Sequence, residues 1–130
     1  MILVDTHVVV WLALDPSQLS AKARTAVERA RKEEDGLAIA DITLLELTTL
    51  ARKARIHLDI SLESFLREVE TRFIILPITG RACVLALGLP ATYPKDPADR
   101  IIAGIALAEG LLLLTADREI RRSKAVSTIW

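Results

Sequence analysis

Lys95-Asp96-Pro97-Ala98-Asp99-Arg100, the apolar run Ile101 to Ala108, and Leu111-Leu112-Leu113-Leu114-Thr115-Ala116-Asp117 together decide the fold. Asp96 suits an N-cap, and Pro97 suits the first helical position, where its missing N–H costs nothing. Asp99 then falls in the first turn. Eight apolar or glycine residues follow without a charge, which predicts a helix covered on most sides. Gly110 stops it. Four leucines bounded by Gly110 and Asp117 read as a strand buried on both faces, as in parallel sheets. The stretch therefore carries acids at the edge of a core, where they are expensive unless a cation joins them.

Upstream, the same grammar repeats. Ile2-Leu3-Val4 reads as a short strand ending at Asp5, and Thr6 as the cap of an almost wholly apolar helix, His7 to Leu14. Trp11 within it is expected in the core. Ser20 caps a second helix with Ala23, Ala26, Val27 and Ala30 on one stripe, and Asp35-Gly36 ends it. Lys22, Arg24, Glu28, Arg29, Arg31 and Lys32 on its other faces read as solvated surface, with RNA contact as the competing reading. Leu37 to Ala40 is the second strand, and Asp41 caps a third helix reaching about Arg55. Glu46 shares a face of that helix with Ile42, Leu45, Thr49 and Leu50 and is expected to have a partner. Ser61 caps a fourth helix, Phe73 to Pro77 is a third strand, and Thr79 to Leu87 a short helix. Gly88 to Lys95 is a loop. Past Asp117, Arg118 to Arg122 reads as a helical turn and Val126 to Trp130 as a last strand. Strands alternating with helices imply an α/β/α sandwich with a mainly parallel sheet.

Composition narrows the function. With 130 residues the chain is expected to be one domain, residues 1–130. Seventeen basic and seventeen acidic residues cancel, so no global field advertises a nucleic-acid binder, although local patches remain open to one. A lone Cys83 excludes an internal disulfide, and no cysteine–histidine cluster offers a zinc site. No apolar run reaches the roughly 20 residues needed to span a bilayer, and the N-terminal apolar stretch is too short for a signal peptide. A cytoplasmic globule without membrane contact is the expectation.

Four carboxylates occupy comparable places. Asp5 and Asp117 each follow a strand, Glu46 lies about a helical turn beyond the second strand, and Asp99 opens the helix that leads into the fourth. The carboxyl ends of strands form the crevice of open α/β sheets, so all four are expected to face one pocket. Gathered there, like charges raise each other's pKa, and a hard divalent cation relieves them. Oxygen-only ligands favour magnesium or manganese, which activate water and stabilise phosphoryl charge. Each acid also has a plainer reading: Asp96 as a cap, Asp99 as a dipole partner, Asp117 as a cap, and Asp5 paired with Arg100 or Arg118.

These residues resemble the PIN domain, in particular the VapC-type toxins of toxin–antitoxin pairs. The resemblance covers the whole length. It rests on Ile2-Leu3-Val4-Asp5-Thr6-His7 with Trp11, Leu45-Glu46-Leu47, Asp96-Pro97-Ala98-Asp99-Arg100-Ile101-Ile102-Ala103 and Leu114-Thr115-Ala116-Asp117-Arg118. It implies a magnesium- or manganese-dependent endoribonuclease with Asp5, Glu46, Asp99 and Asp117 as metal-binding acids. Asp96, Thr115 and Thr6 are accessory in it. It also implies a homodimer and a VapB-like antitoxin laid beside the acids. Arg118, Arg121, Arg122 and Lys124 are the expected RNA phosphate contacts. Two departures, Pro94-Lys95 where relatives often carry His-Arg and Leu45 where they often carry tryptophan, bear on substrate choice. A haloacid-dehalogenase-type phosphohydrolase would need a second aspartate where His7 stands, and a receiver domain a strand-terminal lysine. The remaining alternatives are a PIN-like binding module without catalysis and a PIN nuclease outside toxin–antitoxin systems.

Overall fold

The computed structural model describes residues 1–33 and 36–130. Five short strands, β1 (Ile2–Val4), β2 (Leu37–Ala40), β3 (Ile74–Leu76), β4 (Leu113–Leu114) and β5 (Thr128–Ile129), form one sheet in the order β3-β2-β1-β4-β5. All four pairings are parallel, which sharpens the expected mainly parallel sheet. The helices are α1 (Thr6–Leu14), α2 (Ala21–Lys32), α3 (Asp41–Arg52), α4 (Leu62–Arg72), α5 (Gly80–Leu87), α6 (Pro97–Glu109) and α7 (Arg118–Ser123).

Strand residues alternate between two cores, as a period of two requires. Val4, Leu37, Ile39 and Leu114 face one core with α1 and α2, Leu47 of α3, and Phe65 and Val69 of α4. Leu3, Ala38, Ala40 and Leu113 face the other, with Ala82 of α5, Ile102 and Ile105 of α6, and Ile120 of α7. The layers are therefore helix, sheet, helix. Chain order reverses direction at central β1, between β2 and β4, so the carboxyl ends of β1 and β4 flank the switch point.

Several local expectations are corrected. Asp5, not Thr6, is the N-cap of α1, its carboxylate accepting from Thr6 N–H. Asp41 is the first residue of α3 and not its cap; its Oδ2 accepts from Ile78 N–H instead, tying α3 to the segment before α5. Asp96 stands at the N-cap position of α6 but makes no side-chain cap bond, so Pro97 marks the helix start and the carboxylate is left free. Helix α3 stops at Arg52, with Ala54 in the left-handed region at φ 54°. The leucine strand is only Leu113–Leu114, because Leu111 N–H still bonds the Ala106 carbonyl at the end of α6 and leaves Leu112 exposed. Gly110, at φ 64°, makes that left-handed exit possible. Trp11 is half-buried, its ring 5.6 Å from that of Trp130. The helix stop expected at Asp35 lies outside the described residues.

Helices α5 and α6 pack closely at Gly104, where a Cβ would lie 2.3 Å from the Ala82 carbonyl oxygen and 3.0 Å from Ala86 Cβ. The neighbour is backbone and cannot rotate away. Gly104→Ala is expected to destabilise the fold by about 3 kcal/mol, a drop of roughly 10 °C in Tm by thermal denaturation. An unchanged Tm would mean that α6 can slide on α5.

Candidate active site

Asp5 and Asp117 reach the carboxyl edge of the sheet because they follow β1 and β4 directly. Asp99 reaches it because α6 leads into β4, so a helix running antiparallel to its strand begins where the strand ends. Glu46 is one turn into α3, after β2. Topology thus delivers the four expected acids to one edge, and their charges act on one another. Asp99 feels Asp5, Asp96, Glu46 and Asp117; Glu46 feels Asp5 and Asp96; Asp5 feels Asp117.

Two threonines hold this edge. Thr115 Oγ1–H donates to Asp5 Oδ2 at 2.7 Å, and Asp117 N–H donates to Thr115 Oγ1 at 3.1 Å. Thr6 N–H donates to Asp5 Oδ1 at 2.9 Å, and Thr6 Oγ1–H donates to Glu46 Oε1 at 2.6 Å. A hydroxyl has one proton, so Thr43 must supply the hydrogen in its 3.0 Å contact with Thr6 Oγ1. The partner expected for Glu46 is therefore Thr6, with buried Thr43 behind it. Thr43 was not singled out from the sequence; its spacing of three residues from Glu46 on one helix face is the signal that could have found it.

The acids differ in environment. Burial pushes the Asp5 carboxyl up, against its bonds from Thr115 and Thr6 N–H and the nearby His7. Burial also pushes Glu46 up, against the Thr6 bond, with Asp5 and Asp96 adding to the rise. Asp99 makes no hydrogen bond or ion pair among the described residues, and burial with the surrounding acids pushes it up to about 7. Asp117 is exposed and caps α7, its Oδ1 accepting from Glu119 N–H at 2.9 Å and Ile120 N–H at 3.1 Å. Its plainer reading as a cap is thus also true, with Oδ2 left over.

Among the described residues no arginine pairs with Asp5, contrary to that alternative. Arg100 turns away to clasp the Gly88–Lys95 loop: Nε–H donates to the Pro94 carbonyl at 3.0 Å, and its Nη groups to those of Tyr93 (3.2 Å), Pro90 (3.3 Å) and Leu89 (3.4 Å). Among the described residues the loop meets only the Pro90 carbonyl with a donor of its own, Tyr93 N–H at 3.0 Å, and Arg100 supplies side-chain donors to all four. Its guanidinium also sits 6.0 Å from the Tyr93 ring centroid. Arg118, Arg121, Arg122 and Lys124 are exposed on and after α7, and none forms an ion pair with the acids. Arg122 joins Tyr93, Lys95 and Glu119 in lining a cleft of about 700 Å³ beside α7. A cleft of similar size near Met1, Ile2 and Leu112, at the starts of β1 and β4, is lined by none of the four acids.

The donors fit a hard divalent cation: all are carboxylate oxygens, and three of the carboxyls are pushed up, by burial first and by neighbouring acids after it. Among the described residues no group of three or more Asp, Glu, His or Cys side chains is placed to hold a metal ion as it stands. The four acids act on one another by charge and make the carboxyl edge an acidic basin, not a formed ligand set.

An α/β/α sandwich whose sheet edge gathers oxygen-only acids defines a class of hard-cation site. The PIN domain family matches residues 2–125. Ribonuclease VapC22 of Mycobacterium tuberculosis (strain ATCC 25618 / H37Rv) is 37% identical over 131 residues, 99% of this chain and 98% of that protein. DNA-bound VapBC from Salmonella typhimurium superposes with a TM-score of 0.71 at 25% identity, over 99% of this chain and 98% of that one. VapBC2 from Rickettsia felis, bound to a promoter DNA fragment, gives a TM-score of 0.73 at 19% identity with the same coverage. The chain belongs to the PIN domain family.

The raised carboxyls set a pH dependence. A folded pKa above the unfolded one means that the folded state holds the proton more tightly, so this stabilisation is full below about pH 4 and fades as pH rises through about 7. For half-exposed Asp99, solvent screening reduces the effect to about 1–2 kcal/mol. In EDTA, Tm is expected to fall by several degrees between pH 5 and pH 8, and Asp99→Asn to flatten that slope. A Tm that rises over this interval would contradict the assignment.

Proposed function

We propose that this chain is a metal-dependent endoribonuclease, the toxin of a toxin–antitoxin pair. One observation carries the reading: Asp5, Glu46, Asp99 and Asp117 share the carboxyl edge of a fold that matches a ribonuclease over nearly its whole length. Residues 1–130 act as one PIN-like domain.

In this reading the four acids hold magnesium or manganese, with Asp96 as an accessory acid whose free carboxylate acts on Asp99 and Glu46. The bound ion supplies an activated water and stabilises charge on the phosphoryl oxygens of RNA. Thr115 and Thr6 fix the Asp5 and Glu46 carboxylates, so little side-chain freedom remains to be lost when the site fills. Arg118 opens α7 beside Asp117, Arg121 and Arg122 lie in its last turn and Lys124 follows it, and these four supply the phosphate contacts. Local cations of this kind suit a chain of zero net charge.

The antitoxin is VapB-like, as in the VapBC complexes that share the fold. A homodimer belongs to the same reading, with exposed Val84 and Leu87 of α5 as apolar side chains available for it. No helix of the described residues is long and apolar enough to cross a membrane. The reading puts the protein in the cytoplasm with its RNA substrate.

Antitoxin-free protein is expected to cut a mixed structured RNA pool in magnesium or manganese and to stop in EDTA. Removing one metal-binding carboxylate by Asp99→Asn is expected to lower cleavage by about 100-fold or more. Folded wild-type protein that binds RNA but cuts it in neither metal would favour a binding module. Equal activity in Asp99→Asn would place the chemistry elsewhere.

A further inference from the structure

Tyr93 presents an unresolved polar group. It is 1% exposed, packed with Ile102, Leu113 and Ile120 between α6, β4 and α7, and its hydroxyl has no hydrogen-bond partner. Buried hydroxyls are ordinarily satisfied, so an orphan needs a reason. The surroundings supply one. Burial first, then the charges of Asp99, Asp5 and Asp117, push the phenol pKa up, so the hydroxyl keeps its proton. Asp99, the strongest of those charges on it, is itself without a hydrogen bond.

A donor without an acceptor thus sits on the loop that the first turn of α6 clasps, and an acceptor without a donor sits on that turn. The donor is also held in place. Arg100, the residue after Asp99, grips the Tyr93 carbonyl at 3.2 Å and stands 6.0 Å from its ring centroid. The first turn of α6 thus fixes both Asp99 and the loop that carries Tyr93.

We infer that Tyr93 is a positioning residue for the acidic site, its buried hydroxyl donating to the Asp99 carboxylate, directly or through one water, when Asp99 turns to hold a cation. The inference rests on the metal-site reading above. It assigns to the hydroxyl the part that Thr115 plays for Asp5 and Thr6 plays for Glu46, so that each of these acids has one hydroxyl behind it. Outer partners of this kind orient a ligand and strengthen its hold on the ion.

The test is calorimetric titration of Mn2+ into antitoxin-free wild-type protein, Tyr93→Phe and Asp99→Asn, with Tm in EDTA for each. Phenylalanine keeps the ring and removes only the orphan hydroxyl, so Tyr93→Phe is expected to keep or slightly raise Tm in EDTA. It is expected to bind Mn2+ about tenfold more weakly or worse. Wild-type affinity in Tyr93→Phe would overturn the inference and leave the metal site standing. A Tm in EDTA lowered by many degrees would make the hydroxyl a contact of the fold and also overturn it. Wild-type protein that takes up no Mn2+, or Asp99→Asn that binds it as tightly as wild type, would overturn the metal-site reading, and this inference with it.

Discussion

Like charge confined at one sheet edge is the constraint around which this chain is arranged. Two unit charges about 5 Å apart at an effective dielectric near 20 repel by about 3 kcal/mol. A hydrogen bond to a charged group returns about 1.5–3 kcal/mol. Asp5, with two such bonds, can offset one close neighbour, and Glu46, with one, does so in part. Asp99 has no such bond among the described residues and four acidic neighbours, and burial together with those charges pushes its carboxyl up to about 7.

The donors come from the same segments as the acids. Thr6 follows Asp5, Thr115 precedes Asp117 by two residues, and Thr43 precedes Glu46 by three. Short parallel strands make this economical: β1 and β4 are neighbours, so a threonine ending one meets the aspartate ending the other. A one-residue slip of β4 against β1 would turn Thr115 to the other face and leave Asp5 buried with one bond. Two alternating cores, Val4 and Leu114 on one face and Leu3 and Leu113 on the other, oppose that slip. The apolar packing of the sheet and the polarity of its edge are therefore one register.

This also explains what is legible in the sequence. Apolar runs that end in an acid reveal the strands, and with them the edge where Asp5 and Asp117 stand. Glu46 and Asp99 follow from helix position alone. What local pattern cannot supply is the route of a loop. Residues Gly88 to Lys95 have no period, so nothing local says that Arg100 turns back to bond four of their carbonyls or that Tyr93 enters the core. The pairing of Asp5 with Arg100 fails for that reason: charge suggests it, but the loop's backbone carbonyls claim the guanidinium. Asp96 stands where a cap stands but makes no cap bond, a difference to which the Asp-Pro pattern of a helix start is blind.

The Asp99-Arg100 pair joins these two levels. Side chains of adjacent helical residues diverge by about 100°, so the acid can face the basin while the arginine faces the loop. Through Arg100 the loop's conformation is tied to the same helical turn that carries Asp99. The cleft lined by Tyr93, Lys95 and Arg122 lies along that loop, so a ligand moving Lys95 would strain the carbonyls of Tyr93 and Pro94 and hence the Arg100 clasp. The departure at Pro94-Lys95 falls within this linkage. Proline there still offers the carbonyl that Arg100 Nε–H needs, while Lys95 puts a cation at the cleft wall. Sequence change in the loop can thus alter what the cleft receives without removing the backbone acceptors that hold Tyr93 beside the acids.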